Sequence, residues 1–218
     1  MRVALAQIAP AWLQREATLE KITARLEEAA GQGAQLAVFG EALLPGYPFW
    51  PELTDGARFD SADQKEMFAH YSGQAVDIGG GQLDPLCRKA AELGVAVYLG
   101  TIERSAERGG FSLYATLVFV DQHGRIGSAH RKLMPTYEER LVWSPGDGHG
   151  LRVHELGDEA ALLLEPEGGS AAVRSEPQRF RVRGDSGLVR LLLTAIQADG
   201  DRQRHGQFII HGSYSSGV

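Results

Sequence analysis

With 218 residues, 43% of them hydrophobic and 23% charged, the chain is long enough to bury a core, and its composition excludes wholesale disorder and a fibrous class. A net charge of -6 and a pI of about 5.7 exclude a general nucleic-acid binder and a partner for anionic membranes, since both need a basic face. Neutral small molecules remain as partners. No apolar run approaches the roughly 18 residues of a membrane span, the opening MRVALAQIAP lacks the order of a secretory leader, and the single cysteine, Cys87, allows no internal disulfide; these features predict a cytoplasmic protein.

The first element is a short apolar run, Val3 to Ile8, bounded by Pro10, which reads as a buried strand. From Thr18 to Ala30 the residues Leu19, Ile22, Leu26 and Ala29 recur at three-to-four spacing, the stripe of an amphipathic helix, and Gly31 and Gly33 end it. Ala34 to Phe39 is a second apolar run, completing strand, helix, strand. The stretch 48–81 is too long for an ordinary connection and carries a helical pattern around Ala62 to Tyr71. Pro85 to Leu93 reads as a helix closed by Gly94, and Val95 to Leu99 with Ile102 as a strand. Ser112 to Val120, the turn Asp121-Gln-His-Gly124 and then Arg125 to Arg131 predict a β-hairpin. Alternation of this kind predicts an α/β fold as one domain over residues 1–157. Residues 158–218 differ in texture, with seven arginines and no lysine, and their one clear strand-like run is Leu188 to Ile196. Gly168-Gly169-Ser170 and the closing Gly212 to Gly217 read as loops.

Two segments carry candidate chemistry. Glu41 follows the second strand in Leu36-Ala-Val-Phe-Gly-Glu41-Ala-Leu-Leu-Pro-Gly-Tyr-Pro-Phe-Trp50. A carboxylate at the end of a buried strand sits at the open edge of the sheet, where α/β sites form, and apolar surroundings raise its pKa toward that of a general base. Taken alone, an acid before a turn is a solvated loop charge. Lys132 ends the hairpin in His130-Arg-Lys132-Leu-Met-Pro-Thr-Tyr-Glu-Glu139-Arg-Leu-Val-Trp143, where an ammonium can stabilise charge developing on an attacked nitrile or carbonyl. Taken alone, Lys132, Glu138 and Glu139 are surface charges. The seven histidines offer no His-Glu-x-x-His spacing, so neither a metal nor any other cofactor is expected.

Together these segments resemble the nitrilase family of carbon–nitrogen hydrolases, in its nitrile-hydrolysing branch. Glu41 with Leu44-Pro-Gly-Tyr-Pro48 matches the family's general-base motif, and Phe49-Trp50 is typical of nitrilases proper. HRKLMPTYEERLVW carries the family's lysine at Lys132, with Glu139 at the place of its second glutamate, and Pro145 to Gly150 resembles the loop before the nucleophile strand. The resemblance implies an α-β-β-α sandwich, incomplete at its C-terminal end, a small nitrile or amide as substrate, and homo-oligomers. It also implies a cysteine nucleophile, downstream of the lysine and followed by Trp-Glu, that forms a thioimidate and then a thioester.

That cysteine is missing. The segment reads Asp158-Glu-Ala-Ala-Leu-Leu-Leu-Glu165-Pro-Glu167-Gly-Gly-Ser170, and a forced alignment sets Glu165 near the nucleophile position and Glu167 on the motif's glutamate. Ser170 lacks a Gly-x-Ser-x-Gly elbow. Cys87 lies upstream, on the apolar side of a helix with Leu83, Leu86 and Ala90, and is expected to be buried and structural. Two outcomes follow for function: a nitrilase-type hydrolase, inactive for lack of its thiol unless an unseen nucleophile keeps some activity, or a non-catalytic relative that binds or assembles. Residues 158–218 are expected to be a divergent or frameshifted tail.

Overall fold

A computed structural model describes residues 1–56, 58–106 and 111–156, and beyond them the backbone of four strands at 161–164, 178–184, 187–193 and 207–210. The expected strand, helix, strand unit is present as β1 (Val3–Ala6), α1 (Arg15–Gly31) and β2 (Leu36–Phe39). The α1 stripe of Leu19, Ile22, Leu26 and Ala29 is buried, as its spacing predicts, and β2 runs parallel to β1 with Val3 opposite Leu36. Two short-to-medium helices follow, α2 (Trp50–Leu53) and α3 (Ala62–Gln74), then α4 (Asp84–Leu93). Next come β3 (Ala96–Arg104), β4 (Leu113–Val120) and β5 (Ile126–Arg131), with β4 and β5 paired antiparallel as the expected hairpin.

The remaining strands are β6 (Val153–Glu155), β7 (Ala161–Leu164), β8 (Gln178–Gly184), β9 (Gly187–Leu193) and β10 (Gln207–Ile210). They correct the reading of the tail as holding one strand-like run. That run overlaps β9, but short β7 and β10 and the arginine-broken β8 also pair, because strand formation depends on a partner ladder as much as on local pattern. The first sheet has the order β10-β1-β2-β3-β4-β5, with β10 antiparallel to β1, and the second is antiparallel in the order β6-β7-β8-β9. This is the α/β architecture expected. Gly168 to Ser170, Glu165, Glu167 and Gly212 to Gly217 lie outside the described residues.

Period-two alternation divides the first sheet between two cores. Ala37, Phe39, Val97, Leu99, Val118 and Val120 pack against α1 and α4 through Ile22, Leu26 and Leu86. Leu36, Val38, Ala96, Tyr98, Leu117 and Phe119 form the opposite face with Leu151 and Leu156. There β6 docks: the His154 ring stacks on Phe119 at 3.9 Å, and its Nε2 lies 2.8 Å from Ser128 Oγ. Each fully buried aliphatic side chain contributes about 1.5–3 kcal/mol, so both layers have a strong apolar reason to stay closed. Among the described residues no helix is long and apolar enough to cross a membrane.

The long stretch 48–81 builds a third core at one end of the sheet. Trp50, Tyr71 and Ala75 from it pack with Leu13, Ile102, Leu113, Ala115, Val142 and Trp143. Tyr71 donates to the Gly46 carbonyl at 3.1 Å and accepts from Trp143 Nε1 at 3.2 Å, so the polar tip of this buried ring is satisfied. The insertion therefore closes over the sheet end where β2 and β5 deliver Glu41 and Lys132.

Candidate active site

Glu41 leaves β2 through a sharp bend. Gly40 precedes it, and Ala42 takes a left-handed φ of 52°. The chain then returns along β3: Leu44 N–H donates to the Gly100 carbonyl at 3.2 Å, and the Leu44 carbonyl accepts from Ile102 N–H at 2.8 Å and from Thr101 Oγ1 at 2.9 Å. Close approach at Gly100 makes this possible, since a β-carbon there would come within 2.1 Å of the Gly40 carbonyl oxygen and 2.6 Å of Glu41 Cα. Gly100→Ala is accordingly expected to cost about 1–3 kcal/mol through overpacking and to displace Glu41. Urea unfolding measures it, and an unchanged midpoint would show that the backbone yields freely there.

Lys132 is held by its backbone from two sides. Its N–H donates to the Ala115 carbonyl at 2.8 Å, and its carbonyl accepts from Gly146 N–H at 2.9 Å. The preceding Arg131 adds an anchor: Nε donates to Glu103 Oε2 at 2.8 Å, Thr116 Oγ1 donates to the same oxygen at 2.9 Å, and the guanidinium lies 4.2 Å from the centre of the Tyr114 ring. This polar clamp spans β3, β4 and β5 one residue before the lysine.

The structure brings Glu41, Lys132 and Glu139 together. Lys132 Nζ lies 2.9 Å from Glu41 Oε1 and 2.9 Å from Glu139 Oε2. The two carboxylates are not equivalent. Glu139, 6% exposed, accepts at Oε2 from Lys132 Nζ, from Thr136 N–H at 2.7 Å and from Thr136 Oγ1 at 3.0 Å. At Oε1 it accepts from Lys132 at 3.2 Å and from the Tyr47 hydroxyl at 3.4 Å. Glu41 Oε1 is buried and meets the Lys132 ammonium as its one partner among the described residues, whereas Glu139 has three.

Titration separates them further. Burial pushes the Glu41 carboxyl above the ordinary range, and the opposing pull of Lys132 does not cancel it. Burial pulls the Lys132 ammonium down, but Glu41 and Glu139 outweigh that and hold it above its ordinary value. Both shifts cannot be complete at once, because a neutral Glu41 no longer supports the lysine. The two groups titrate as a coupled pair, in which the ammonium is also hydrogen-bonded to Glu139 and Glu41 is the carboxyl that burial pushes up.

Aromatic rings wall this cluster. Tyr47 lies 4.9 Å from Phe49 and meets Trp143 edge-on at 5.5 Å, while Lys132 Nζ is 5.8 Å from the Trp143 ring centre. Burial and the nearby Glu139 push the Tyr47 hydroxyl well up, so it stays a donor. A separate groove of about 470 Å³ between Phe68, Phe111 and Leu141 shares Trp143 and no member of the ionic cluster. Among the described residues no group of three His, Cys, Asp or Glu is arranged to hold a metal ion.

Two contributors were absent from the sequence reading. Thr136 sits three residues before Glu139, the Thr-x-x-Glu spacing of a capping box at the start of the 3₁₀ turn Tyr137–Leu141, so a local signal existed. Tyr47 lay inside the quoted motif, but its reach to Glu139 depends on the fold. The same turn leaves Glu138 exposed and Glu139 buried, which divides two residues that look alike in sequence.

Cys87 is far from this site. A β-carbon at Gly124, in the β4–β5 turn, would come within 2.3 Å of the Cys87 carbonyl oxygen, whereas Lys132 lies beyond the other end of β5, about 25 Å away at strand rise. The thiol is half-buried rather than buried, because α4 turns that flank only partly inward. Burial and the neighbouring Asp84 raise its pKa. Alkylation of the native protein at neutral pH is therefore expected to be slow, and rapid stoichiometric labelling would show an activated thiol.

The carbon-nitrogen hydrolase pattern matches residues 2–161. A protein called nitrilase 2, from an unknown prokaryotic organism, is 42% identical over 152 residues, which are 69% of this chain and 46% of that protein. A bifunctional nitrilase/nitrile hydratase of Nicotiana tabacum is 37% identical over 155 residues, 71% of this chain and 43% of that protein. The chain thus spans about half the length of these relatives. Among solved structures, an amidase from Nesterenkonia sp. shares the fold with a TM-score of 0.53 at 21% identity, covering 73% of this chain and 52% of that one. A variant of that amidase was crystallised with acrylamide added at its active site cysteine. From the match over most of its length and the identity to nitrilases, the chain belongs to the carbon-nitrogen hydrolase family, in its nitrilase-type branch.

Proposed function

We propose that Glu41, Lys132 and Glu139 form a nitrilase-type site that binds a small nitrile or amide and, lacking the family's thiol, does not hydrolyse it. The observation that carries this is the buried Glu41 carboxylate, whose one partner among the described residues is the Lys132 ammonium 2.9 Å from its Oε1. In the reaction for which such a site is laid out, Glu41 takes the proton of the nucleophile and Lys132 steadies charge on the attacked nitrogen or oxygen. Glu139 keeps the ammonium in place. Glu41 and Lys132 side chains are 14% and 23% exposed, so each keeps a small surface that a ligand can touch.

Binding is testable without turnover. Benzonitrile and benzamide should produce saturable shifts in the protein's NMR spectrum, weakened at least tenfold by Lys132→Met. Absence of saturable binding to the native chain would refute the proposal. A working hydrolase with an unrecognised nucleophile is the competing reading, and an ammonia assay separates the two.

Three further points belong to the same reading. Residues 158–218 are a divergent or frameshifted tail, supported by the end of the family match at residue 161; the alternative frames downstream of codon 157 would contain a Cys-Trp-Glu motif if the frame was lost. Exposed Leu53, Phe59, Phe111 and Met134 support self-association into a homo-oligomer, and a monomer in sedimentation velocity would remove it. A free, half-buried thiol suits the reducing cytoplasm.

A further inference from the structure

Building on the proposed binding site, we infer that the Glu41–Lys132 pair accepts a nucleophile from solution, and that hydrosulfide adds there to a bound nitrile to give a thioamide. Among the described residues the cluster holds a base and a cation but no attacking atom. Glu41 Oε1 is buried with the Lys132 ammonium, 2.9 Å away, as its one partner among the described residues, so this carboxylate keeps acceptor capacity that Glu139 has filled. The Lys132 ammonium 2.9 Å away can stabilise negative charge developing on the attacked nitrogen, most effectively when Glu41 is protonated and Glu139 alone opposes it. Glu139 is saturated by Lys132, Thr136 and Tyr47, which leaves Glu41 to move the proton. The protein's one thiol, Cys87, lies beside the far turn of the β4–β5 hairpin and cannot reach.

Hydrosulfide fits this site for chemical reasons. Sulfur anions are strong nucleophiles near neutral pH, where water is a poor one. Hydrosulfide is also the reactive atom of a cysteine without a stem that needs anchoring, and its size suits a site whose Glu41 and Lys132 side chains are 14% and 23% exposed. The proton count is the same whether hydrogen sulfide meets ionised Glu41 or hydrosulfide meets protonated Glu41.

The step balances without an oxidant or a leaving group. Sulfur bonds to the nitrile carbon, one carbon–nitrogen π pair moves to nitrogen, and the proton lost by sulfur passes through Glu41 to that nitrogen. The iminothiol then shifts its second sulfur proton to nitrogen, so R–C≡N and H₂S become R–C(=S)–NH₂. No ammonia leaves. Lys132 stabilises the charge on nitrogen and stays protonated throughout.

The test is incubation of the full chain with benzonitrile and sodium hydrosulfide under anaerobic conditions, with thiobenzamide followed by chromatography. A protein-dependent rate above the uncatalysed one is expected, falling at least tenfold in Glu41→Gln and in Lys132→Met and unchanged in Cys87→Ala. Should the first two variants fail to fold, benzamide competition against the native chain replaces them, and it should suppress the reaction. Saturable benzonitrile binding with no acceleration would overturn this inference and leave the binding proposal standing. No binding would overturn both. Acceleration that survives Glu41→Gln or ignores benzamide would place the reaction elsewhere on the surface and overturn the inference as well.

Discussion

Without an added nucleophile, aliphatic and aromatic nitriles and amides are expected to release no ammonia above background from this chain. A covalent route needs an atom that attacks and is later displaced, and a base with an ammonium only assists that atom. Cys87 is the one sulfur nucleophile in 218 residues, and it sits at the opposite end of β5 from Lys132 with its pKa raised. Removing the nucleophile from a covalent hydrolase costs on the order of a millionfold in turnover, which lies below an ordinary ammonia assay. Cys87→Ala should leave the blank result unchanged. Ammonia release that survives this substitution but is lost in Glu41→Gln would instead reveal a nucleophile in the tail and restore the chain to the working hydrolases.

Lys132→Met is expected to be the most destabilising single change at the site. It leaves two carboxylates, Glu139 buried and Glu41 14% exposed, facing one another without a cation. Breaking a buried ion pair from one side costs about 3–5 kcal/mol. For a chain of this size the loss lowers Tm by on the order of 10 °C, readable by calorimetry. The effect should depend on pH, with a definite sign. Glu41 has a raised pKa in the folded state, so its protonated form favours folding below its unfolded pKa of about 4.5, and that advantage is lost as pH rises through the folded value. Without the lysine the folded value climbs further. The deficit of Lys132→Met against the native chain should therefore shrink toward acid and grow toward neutrality. Lys132 itself, also raised, contributes fully below its ordinary value of about 10.5 and is lost at higher pH, so the native chain alone should weaken at strongly alkaline pH through this group. Adding Glu41→Gln to Lys132→Met should recover part of the loss, because it removes one of the two unpaired charges. A variant as stable as the native chain at pH 7 would mean that solvent reaches these carboxylates freely.

The sequence alone determined the elements whose pattern is local. The four apolar positions of α1 repeat at helical spacing, β2 is an unbroken apolar run, and Asp121 to Gly124 marks the turn of the β4–β5 hairpin. It also determined which residues to watch, because Glu41 and Lys132 close two strands inside long motifs, and the missing thiol is a plain fact of composition. Burial and pairing between distant segments were left to the tertiary structure. Only the fold sets the Tyr47 hydroxyl against Glu139 across 92 positions, joins Glu103 to Arg131, and threads Gly40 past Gly100 so that Glu41 turns inward. Only the fold separates buried Glu139 from exposed Glu138, and brings β10 beside β1. The physical reason is the same in each case: periodicity reports which face of an element is apolar, while a carboxyl's pKa and a strand's pairing depend on what the rest of the chain places within a few ångströms of it.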